Sequence, residues 1–317
     1  MSARGWLIGL AIVIVLVFAA LWVTHRMAFY SPVGQQNDPY QVPPAEQYLQ
    51  YYDRTCELID ELKARECEWV SITSRDGLTL TGRYYHTADG APLDIGFHGY
   101  RGTALRDFCG GSRVSFALGH NLLLVDQRAH GQSQGHTTTF GAKERLDCLD
   151  WVNWANERFG CPPIALIGVS MGAATVLLAA GLELPDNVKC AVADCPYSDA
   201  EEMIVLVGRR KMPLPEGALR LLARGAARII GGFRLADACP EQAVRRASIP
   251  ILLLHGEADG LVPCAMSAAV EKACAAPVRR CTFPGADHAI SFLVDDEGYT
   301  KAVTDFLQWV QQEGKRV

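Results

Sequence analysis

The sequence lacks the patterns that indicate a metal-binding or a nucleic-acid-binding protein. It contains no C-x-x-C pair and no histidine and cysteine cluster at zinc-ligand spacing, so it predicts no metal site. It has no basic run, and its formal net charge of −5 argues against nucleic-acid binding. No internal repeat or low-complexity tract interrupts the 317 residues, which are 49% hydrophobic. This length and composition suit one large α/β domain with appendages.

Cysteine is abundant, and its number is odd. Several of the eleven cysteines, such as Cys190 and Cys281, fall inside predicted strands or helices. A free cysteine in such a position packs as a small hydrophobic side chain. At least one cysteine is unpaired within the chain, which argues against a fully oxidising environment.

The N-terminal residues 6–23 contain no charged or strongly polar side chain. At helical rise this segment covers about 27 Å, close to the roughly 30 Å of a bilayer's hydrocarbon core. Trp6 and Trp22 stand near its ends, as in an aromatic belt. A cleaved signal peptide is the alternative, but no small-x-small cleavage site follows, which favours a single-pass membrane anchor. Arg4 and Arg26 flank the segment and leave undetermined the side of the membrane on which the rest of the chain lies.

Three parts follow from the organisation of the chain: an anchor at 1–26, a linker with an amphipathic helix at 27–66, and a main domain at 67–317. Four prolines in residues 27–44 predict an extended linker that leads away from the membrane. Aromatic and aliphatic residues at helical spacing predict an amphipathic helix over residues 45–66.

The main domain alternates apolar strands with helices. The predicted strands are 68–73, 78–85, 93–97, 121–125, 164–167, 188–193, 251–254 and 279–283. The predicted helices lie at about 103–118, 142–159, 171–181, 264–275 and 299–313. This alternation predicts a mainly parallel sheet with helices on both faces, whose active site lies at the carboxyl ends of the strands.

The most informative motif is Gly168-Val169-Ser170-Met171-Gly172, between a predicted strand and a helix of small residues. A G-x-S-x-G in this context is typical of a nucleophile elbow, a turn so sharp that only glycines fit beside the serine. An incidental serine in a tight strand–helix turn is the alternative reading.

Two later strand ends supply the partners that a serine nucleophile needs. Asp259 follows the strand at 251–254, and His288 follows the strand at 279–283. The chain order Ser170, Asp259, His288 is that of a hydrolase triad, in which the histidine accepts the serine proton and the aspartate orients the imidazole. Asp287 is the competing acid, although neighbours on one backbone rarely turn their side chains onto each other.

An oxyanion hole is expected from the loop after the strand at 93–97. The backbone N–H groups of Tyr100 and Met171 are the predicted donors. The phenol of Tyr100 is an alternative donor. His98 either braces this loop or is a plain structural histidine.

Over fifty residues separate the strand at 188–193 from the strand at 251–254. Residues 200–211 and 216–231 in this interval have helical patterns with a broad apolar face. We interpret the interval as a small helical cap at about 199–240, the cap segment, above an apolar acyl pocket for short to medium chains. An ordinary packing excursion is the alternative.

These motifs resemble those of the α/β-hydrolase superfamily over about residues 68–313, and in particular bacterial membrane-tethered serine esterases. The loop beginning His98-Gly99-Tyr100 is similar to that of acetyl-ester deacetylases. Residues 126–133 resemble the D-x-R-x-x-G-x-S turn of the superfamily, which is structural there. The resemblance implies an α/β-hydrolase fold with an eight-stranded, mostly parallel sheet and no cofactor. The chain departs from the HGGG pattern of lipases and has no His-x4-Asp acyltransferase signature.

The sequence therefore predicts a serine hydrolase that cleaves small-molecule carboxylic esters through an acyl-enzyme on Ser170. A serine peptidase of the same fold and a non-catalytic membrane-tethered binding module are the alternatives. The expected partners are the ester substrate and, through the N-terminal helix, a membrane. Neither a nucleic acid nor an obligate protein partner is expected.

Overall fold

A computed structural model describes residues 3–32 and 38–313. Residues 33–37 of the predicted linker lie outside the described residues, as do residues 1–2 of the predicted anchor and 314–317 of the main domain. Eight strands in the described part form one sheet. They are β1 (Glu68–Thr73), β2 (Thr79–Tyr85), β3 (Leu93–Phe97), β4 (Asn121–Asp126), β5 (Ile164–Val169), β6 (Val188–Asp194), β7 (Ile251–Gly256) and β8 (Val278–Phe283).

The strand order across the sheet is β1-β2-β4-β3-β5-β6-β7-β8. Strand β2 is antiparallel to both of its neighbours, and all other neighbouring strands are parallel. Every residue of β3, β4 and β7 is buried, because helices cover both faces of the sheet. The predicted eight-stranded, mostly parallel sheet is confirmed.

The described residues form thirteen α-helices. They are α1 (Ala3–Ala28), α2 (Glu46–Leu49), α3 (Tyr52–Lys63), α4 (Ala104–Phe108), α5 (Ser112–Ala117), α6 (Glu144–Phe159), α7 (Met171–Ala180), α8 (Ala200–Lys211), α9 (Glu216–Gly225), α10 (Pro240–Ala243), α11 (Ala265–Ala273), α12 (Ser291–Val294) and α13 (Asp296–Glu313). A π-helical turn (Ala226–Ile230) continues α9, and two 3₁₀ turns, Leu235–Asp237 and Val244–Arg246, flank α10.

Helix α7 lies at the centre of the molecule, and all of its residues are buried. Its alanines and glycine let the helix axis approach the sheet closely, and it packs on β3, β5 and β6. This close approach positions the first residue of α7, and therefore the turn before it, directly above the end of β3.

Two predicted helices are interrupted in the structure. Residues 45–66 form α2 and α3 with a break between them, and residues 103–118 form α4 and α5. Gly110 lies in the second break, where an added Cβ would lie 2.2 Å from the ring of Phe292. The backbone turns at this point so that it can pass close to that ring, and apolar periodicity alone does not reveal such a contact.

The start of the predicted linker differs from the extended chain that its prolines suggest. Helix α1 continues to Ala28, and Phe29 is fully buried in the domain. Tyr30 then forms an antiparallel bridge with Thr137. The chain therefore packs on the main domain directly after α1, because the Phe29 ring packs against the rings of Phe140 and Phe233.

Candidate active site

Ser170 occupies a strained turn between β5 and α7. Its backbone has φ 55° and ψ −111°, a conformation that a residue with a side chain rarely adopts. A Cβ on Gly168 would lie 2.2 Å from the Gly172 carbonyl oxygen, and a Cβ on Gly172 would lie 1.8 Å from the Phe97 carbonyl oxygen. Only glycine fits at either position, which explains the spacing of the motif.

The three residues of the predicted triad form one chain of hydrogen bonds. The Ser170 hydroxyl donates to Nε2 of His288 at 2.9 Å. Nδ1 of His288 donates to the Asp259 carboxylate at 2.8 Å. His288 and Asp259 are both buried, at 8% and 9% exposure. This arrangement leaves the unprotonated Nε2 facing the serine, as a general base requires.

Asp259 is held in its ionised form. Its second oxygen accepts the backbone N–H groups of Leu261 and Val262 at 2.9 and 2.7 Å. Burial by itself would raise the pKa of Asp259. Hydrogen bonds from His255 and His288 overcome that effect and hold the pKa well below its usual range. The carboxylate therefore carries its negative charge when the His288 imidazole becomes protonated, and it can stabilise the imidazolium.

Among the described residues, the hydrogen bonds of the His288 ring go to Ser170 and Asp259 and not to the Asp287 carboxylate. Its Oδ1 accepts the backbone N–H of Gly260 at 2.8 Å and that of His288 at 2.6 Å. Its Oδ2 accepts the side-chain amide of Gln47 at 2.9 Å. The Asp287 carboxylate thus ties together the two loops that carry Asp259 and His288.

The loop after β3 lies against the elbow. A Cβ on Gly99 would lie 3.4 Å from Cβ of Ser170. Tyr100, Ser170 and Met171 line the same cavity. Within the part of the chain that the structure describes, the backbone N–H groups of Tyr100 and Met171 have no hydrogen-bond acceptor. The phenol of Tyr100 is already engaged, because it donates to the Ala28 carbonyl at 3.0 Å.

Two buried histidines fix the conformation of this loop. His98 Nδ1 donates to the Gly99 carbonyl at 2.8 Å, and Nε2 accepts the Gln127 N–H at 3.1 Å. Nε2 of His130 accepts the Arg101 N–H at 3.0 Å. Burial lowers the pKa of both imidazoles, so both are neutral and can accept these bonds. The bracing role considered for His98 matches these contacts.

Sequence reasoning assigned no role to three further residues around the triad. Asp194, at the end of β6, accepts the Ser170 N–H on its carbonyl at 2.8 Å, and burial raises the pKa of its carboxyl to about 6. Cys195 follows it with φ 48°. His255, at the end of β7, lies with Nε2 3.3 Å from the Asp259 carboxylate. The sequence could have indicated these residues, because they lie at or directly after the ends of β6 and β7, the strands between β5 and β8.

Cys195, Asp259 and His288 bring their potential metal-ligand atoms within 4.8 Å of one another. Only a thiolate binds a metal strongly, however, and burial raises the pKa of the Cys195 thiol well above its usual value. Asp259 and His288 are already hydrogen-bonded to each other. The hydrogen-bonded pair and the protonated thiol therefore do not fit a metal centre.

A cavity of about 300 Å³ adjoins Ser170. Its walls are predominantly apolar side chains, and many of them come from α8 and α9 of the cap segment: Met203, Ile204, Val207, Leu219 and Leu222. The aromatic residues Tyr100, Phe140 and Tyr197 contribute a further side. This volume lies at the lower end of the range of ligand pockets.

Comparisons with known proteins agree with this architecture. A family model described as alpha/beta hydrolase fold matches residues 97–228, which include Ser170. The uncharacterized protein YqkD of Bacillus subtilis is 31% identical over 194 residues, which are 60% of this chain and 63% of the relative. The chain thus spans slightly less than two thirds of that relative's length.

Solved esterases share the fold. The esterase Pf2001 of Pyrococcus furiosus superposes with a TM-score of 0.63 at 24% identity and covers 78% of this chain and 94% of its own. Est1E of Butyrivibrio proteoclasticus, solved with ferulic acid bound, gives a TM-score of 0.58 at 23% identity and covers 77% and 99%. The chain has the α/β-hydrolase fold, which the family model matches over residues 97–228 and which these solved esterases share.

Proposed function

We propose that the protein is a serine hydrolase that cleaves carboxylic esters through an acyl-enzyme on Ser170. The observation that carries this proposal is the continuous hydrogen-bonded chain from Ser170 through His288 to Asp259. A serine hydroxyl is a poor nucleophile unless a neighbouring base removes its proton. The strained turn at Ser170 and the two loops that carry Asp259 and His288 meet at this one hydroxyl group, which supports a catalytic role for it.

The reaction follows from these contacts. Ser170 Oγ attacks the ester carbonyl carbon while His288 Nε2 takes the hydroxyl proton. The negative charge that develops on the carbonyl oxygen is stabilised by the N–H groups of Tyr100 and Met171. His288 then gives its proton to the leaving alcohol, and the acyl group remains on Ser170. Water, deprotonated by the same imidazole, attacks the acyl-enzyme and releases the carboxylic acid.

The organisation of the chain supports an enzyme tethered to a membrane. Residues Arg4–Ala28 form one helix whose length and hydropathy suit a membrane span, and 6% of its most apolar window is buried. A helix in the core of a soluble protein would instead be mostly buried. We take residues 1–26 as a single-pass anchor, 67–317 as the catalytic domain and about 199–240 as its cap, with a small-molecule ester as substrate.

A fluorophosphonate probe tests the proposal, because it reacts covalently with an activated serine. The full-length protein should be labelled, and Ser170→Ala and His288→Ala should abolish the labelling. Ser291→Ala is a matched control, since it removes a buried hydroxyl near His288 that has no hydrogen-bond partner in the described structure. Labelling that survives in Ser170→Ala would refute the proposal.

Matched ester and amide substrates separate the remaining alternatives. A serine peptidase would hydrolyse a peptide amide at a measurable rate that is lost in Ser170→Ala, whereas an esterase would hydrolyse the ester of the same acyl group and leave the amide intact. A folded protein that hydrolyses no ester and takes no fluorophosphonate would instead be a binding module.

A further inference from the structure

The cavity next to Ser170 includes part of the N-terminal helix in its wall. Thr24, Met27 and Ala28, from the last turns of α1, line it together with the cap segment. The apolar helix is thus a component of the site as well as a tether.

Several contacts hold the end of α1 in this position. The Phe29 ring packs edge-on against Phe140 and Phe233, with centroids 5.8 and 5.3 Å apart. Arg101 donates to the Met27 carbonyl at 3.2 Å. Together with the bond between Tyr100 and the Ala28 carbonyl, these contacts fix the wall that α1 contributes.

The hydroxyl groups in this cavity are turned away from a polar ligand. Thr24 donates its proton to the Ala20 carbonyl at 2.8 Å. The phenols of Tyr100 and Tyr197 donate to the carbonyls of Ala28 and Phe140 at 3.0 and 2.9 Å. Apart from Ser170, these are the hydroxyl groups lining the described cavity, and their protons are already used. Apart from the cations of Arg101 and Lys211, the other lining residues are apolar or glycine, so the walls favour hydrocarbon over a polar acyl group.

The cavity begins where the apolar part of α1 ends. Leu21, inside the apolar segment 6–23, is buried against Gly225 of α9, where an added Cβ would lie 2.7 Å from its side chain. Thr24, one turn further, is the first residue of α1 that lines the cavity. Nearby on the cap segment, Leu221 and Ile229 are 73% and 63% exposed. If α1 spans a bilayer, this side of the cap segment meets the bilayer surface.

We propose that the cavity binds the hydrocarbon chain of an amphiphilic ester, a lipid, drawn from the membrane in which α1 lies. The inference rests on the proposed serine esterase function. The ester carbonyl reaches Ser170, and the chain runs between the cap helices and the last turns of α1 towards the bilayer. The reaction is the hydrolysis described above, with water as the co-reactant and a fatty acid and an alcohol as products.

Neighbouring positions on α1 provide a matched test. Thr24→Trp places an indole in the cavity wall, whereas Val23→Trp adds the same ring at a 48% exposed position outside the wall. The measured quantity is the ratio of kcat/KM for p-nitrophenyl octanoate to that for p-nitrophenyl acetate, with the full chain in phosphatidylcholine vesicles. Thr24→Trp should lower this ratio at least tenfold, and Val23→Trp should keep the wild-type ratio. An unchanged ratio in Thr24→Trp, or an equal fall in both variants, would overturn the inference.

A second measurement tests the membrane as the source. Wild-type protein in phosphatidylcholine vesicles is given monooleoylglycerol at a constant bulk concentration and below saturation. Added phosphatidylcholine that dilutes the ester threefold in the bilayer should lower the rate about threefold. A rate that follows only the bulk concentration would contradict delivery from the membrane.

The two proposals fail in distinguishable ways. If Ser170→Ala hydrolyses p-nitrophenyl acetate as fast as the wild type, the proposed function fails. If hydrolysis of the acetate depends on Ser170 but either the chain-length ratio or the surface dilution departs from the expected result, only the lipid assignment fails.

Discussion

The phenol of Tyr100 donates a hydrogen bond to the carbonyl of Ala28 at 3.0 Å. This bond joins the loop that carries a proposed oxyanion donor to the end of α1. Tyr100 thus has two separate roles. Its backbone N–H is available to the substrate, whereas its side chain binds the end of α1.

Tyr100→Phe should therefore leave catalysis almost intact. The variant keeps the backbone N–H and the ring that stacks on Phe140 at 5.2 Å between centroids. We expect kcat for p-nitrophenyl acetate to change less than about threefold, and stability to fall by about 1 kcal/mol because the Ala28 carbonyl loses its donor. A fall in kcat of about 10²–10³-fold would identify the phenol as the oxyanion donor instead.

Replacing Asp259 should damage catalysis much more than replacing Asp287. Asp259→Asn removes the charge that orients and supports the His288 imidazole, so kcat should fall about 10⁴-fold. Asp287→Asn keeps an oxygen for the Gly260 and His288 N–H groups and should cost less than about tenfold. The comparison needs only kcat for one activated ester. A larger loss in Asp287→Asn would reverse the assignment of the acid.

The elbow should not tolerate a side chain at Gly172. In Gly172→Ala the new Cβ would lie 1.8 Å from the Phe97 carbonyl oxygen, so either β3 or α7 must move. We expect a loss of at least about 3 kcal/mol in the free energy of unfolding. Gly217→Ala is the matched control, because its Cβ meets no atom within 4 Å and an exposed helix gains about 0.4–1 kcal/mol from this change. Equal stability of the two variants would contradict the packing described for the elbow.

Arg128 should be structurally essential. Its guanidinium, 4% exposed, binds Asp147 at 2.6 Å and Asp76 at 2.9 Å. Arg128→Leu leaves the buried Asp147 without its cation and should cost about 3–5 kcal/mol in chemical denaturation. Arg75→Ala removes a 41% exposed partner of Asp150 and should cost at most about 1 kcal/mol. Similar losses in the two variants would show that burial does not determine how much an ion pair contributes to the free energy of unfolding.

Asp194 should make stability depend on pH. Burial raises the pKa of its carboxyl from 3.8 in the unfolded chain to about 6 in the folded protein. The folded state thus binds more protons between these values, and its stability falls as the pH rises through them. Asp194→Asn removes this loss. The variant should gain up to about 3 kcal/mol relative to the wild type between pH 4 and pH 7, since one pKa unit corresponds to about 1.4 kcal/mol.

Chemical denaturation in detergent micelles at several pH values measures this difference. If the difference in stability between the wild type and Asp194→Asn does not change with pH, Asp194 is ionised in the folded state throughout the range.

Much of the fold was predictable from the sequence, because its strands are short apolar runs bounded by glycine and proline. β1 and β3 coincide with their predicted limits, and the other strands differ by at most two residues at an end. The order of Ser170, Asp259 and His288 was predictable for a related reason. Each follows a strand of a mostly parallel sheet, and such strands end at a common edge.

The remaining features depend on contacts between residues far apart in sequence. Phe29 packs on Phe140 and Phe233, which lie far from it in the sequence, and no local pattern indicates these contacts. The interruption at Gly110 depends on Phe292 in the same way. Local propensity describes each segment alone, so it could predict the cap segment and the anchor but not their shared cavity.

The position of α1 has a practical consequence for preparing this protein. Water-soluble forms of tethered enzymes are commonly made by deleting the tether. A shortened chain that begins after Ala28 would lack Thr24 and Met27, open one side of the cavity, and leave the Tyr100 phenol without its acceptor. Such a protein would accept bulkier esters than the whole chain does. A specificity profile measured on it would describe the truncated chain rather than the whole protein.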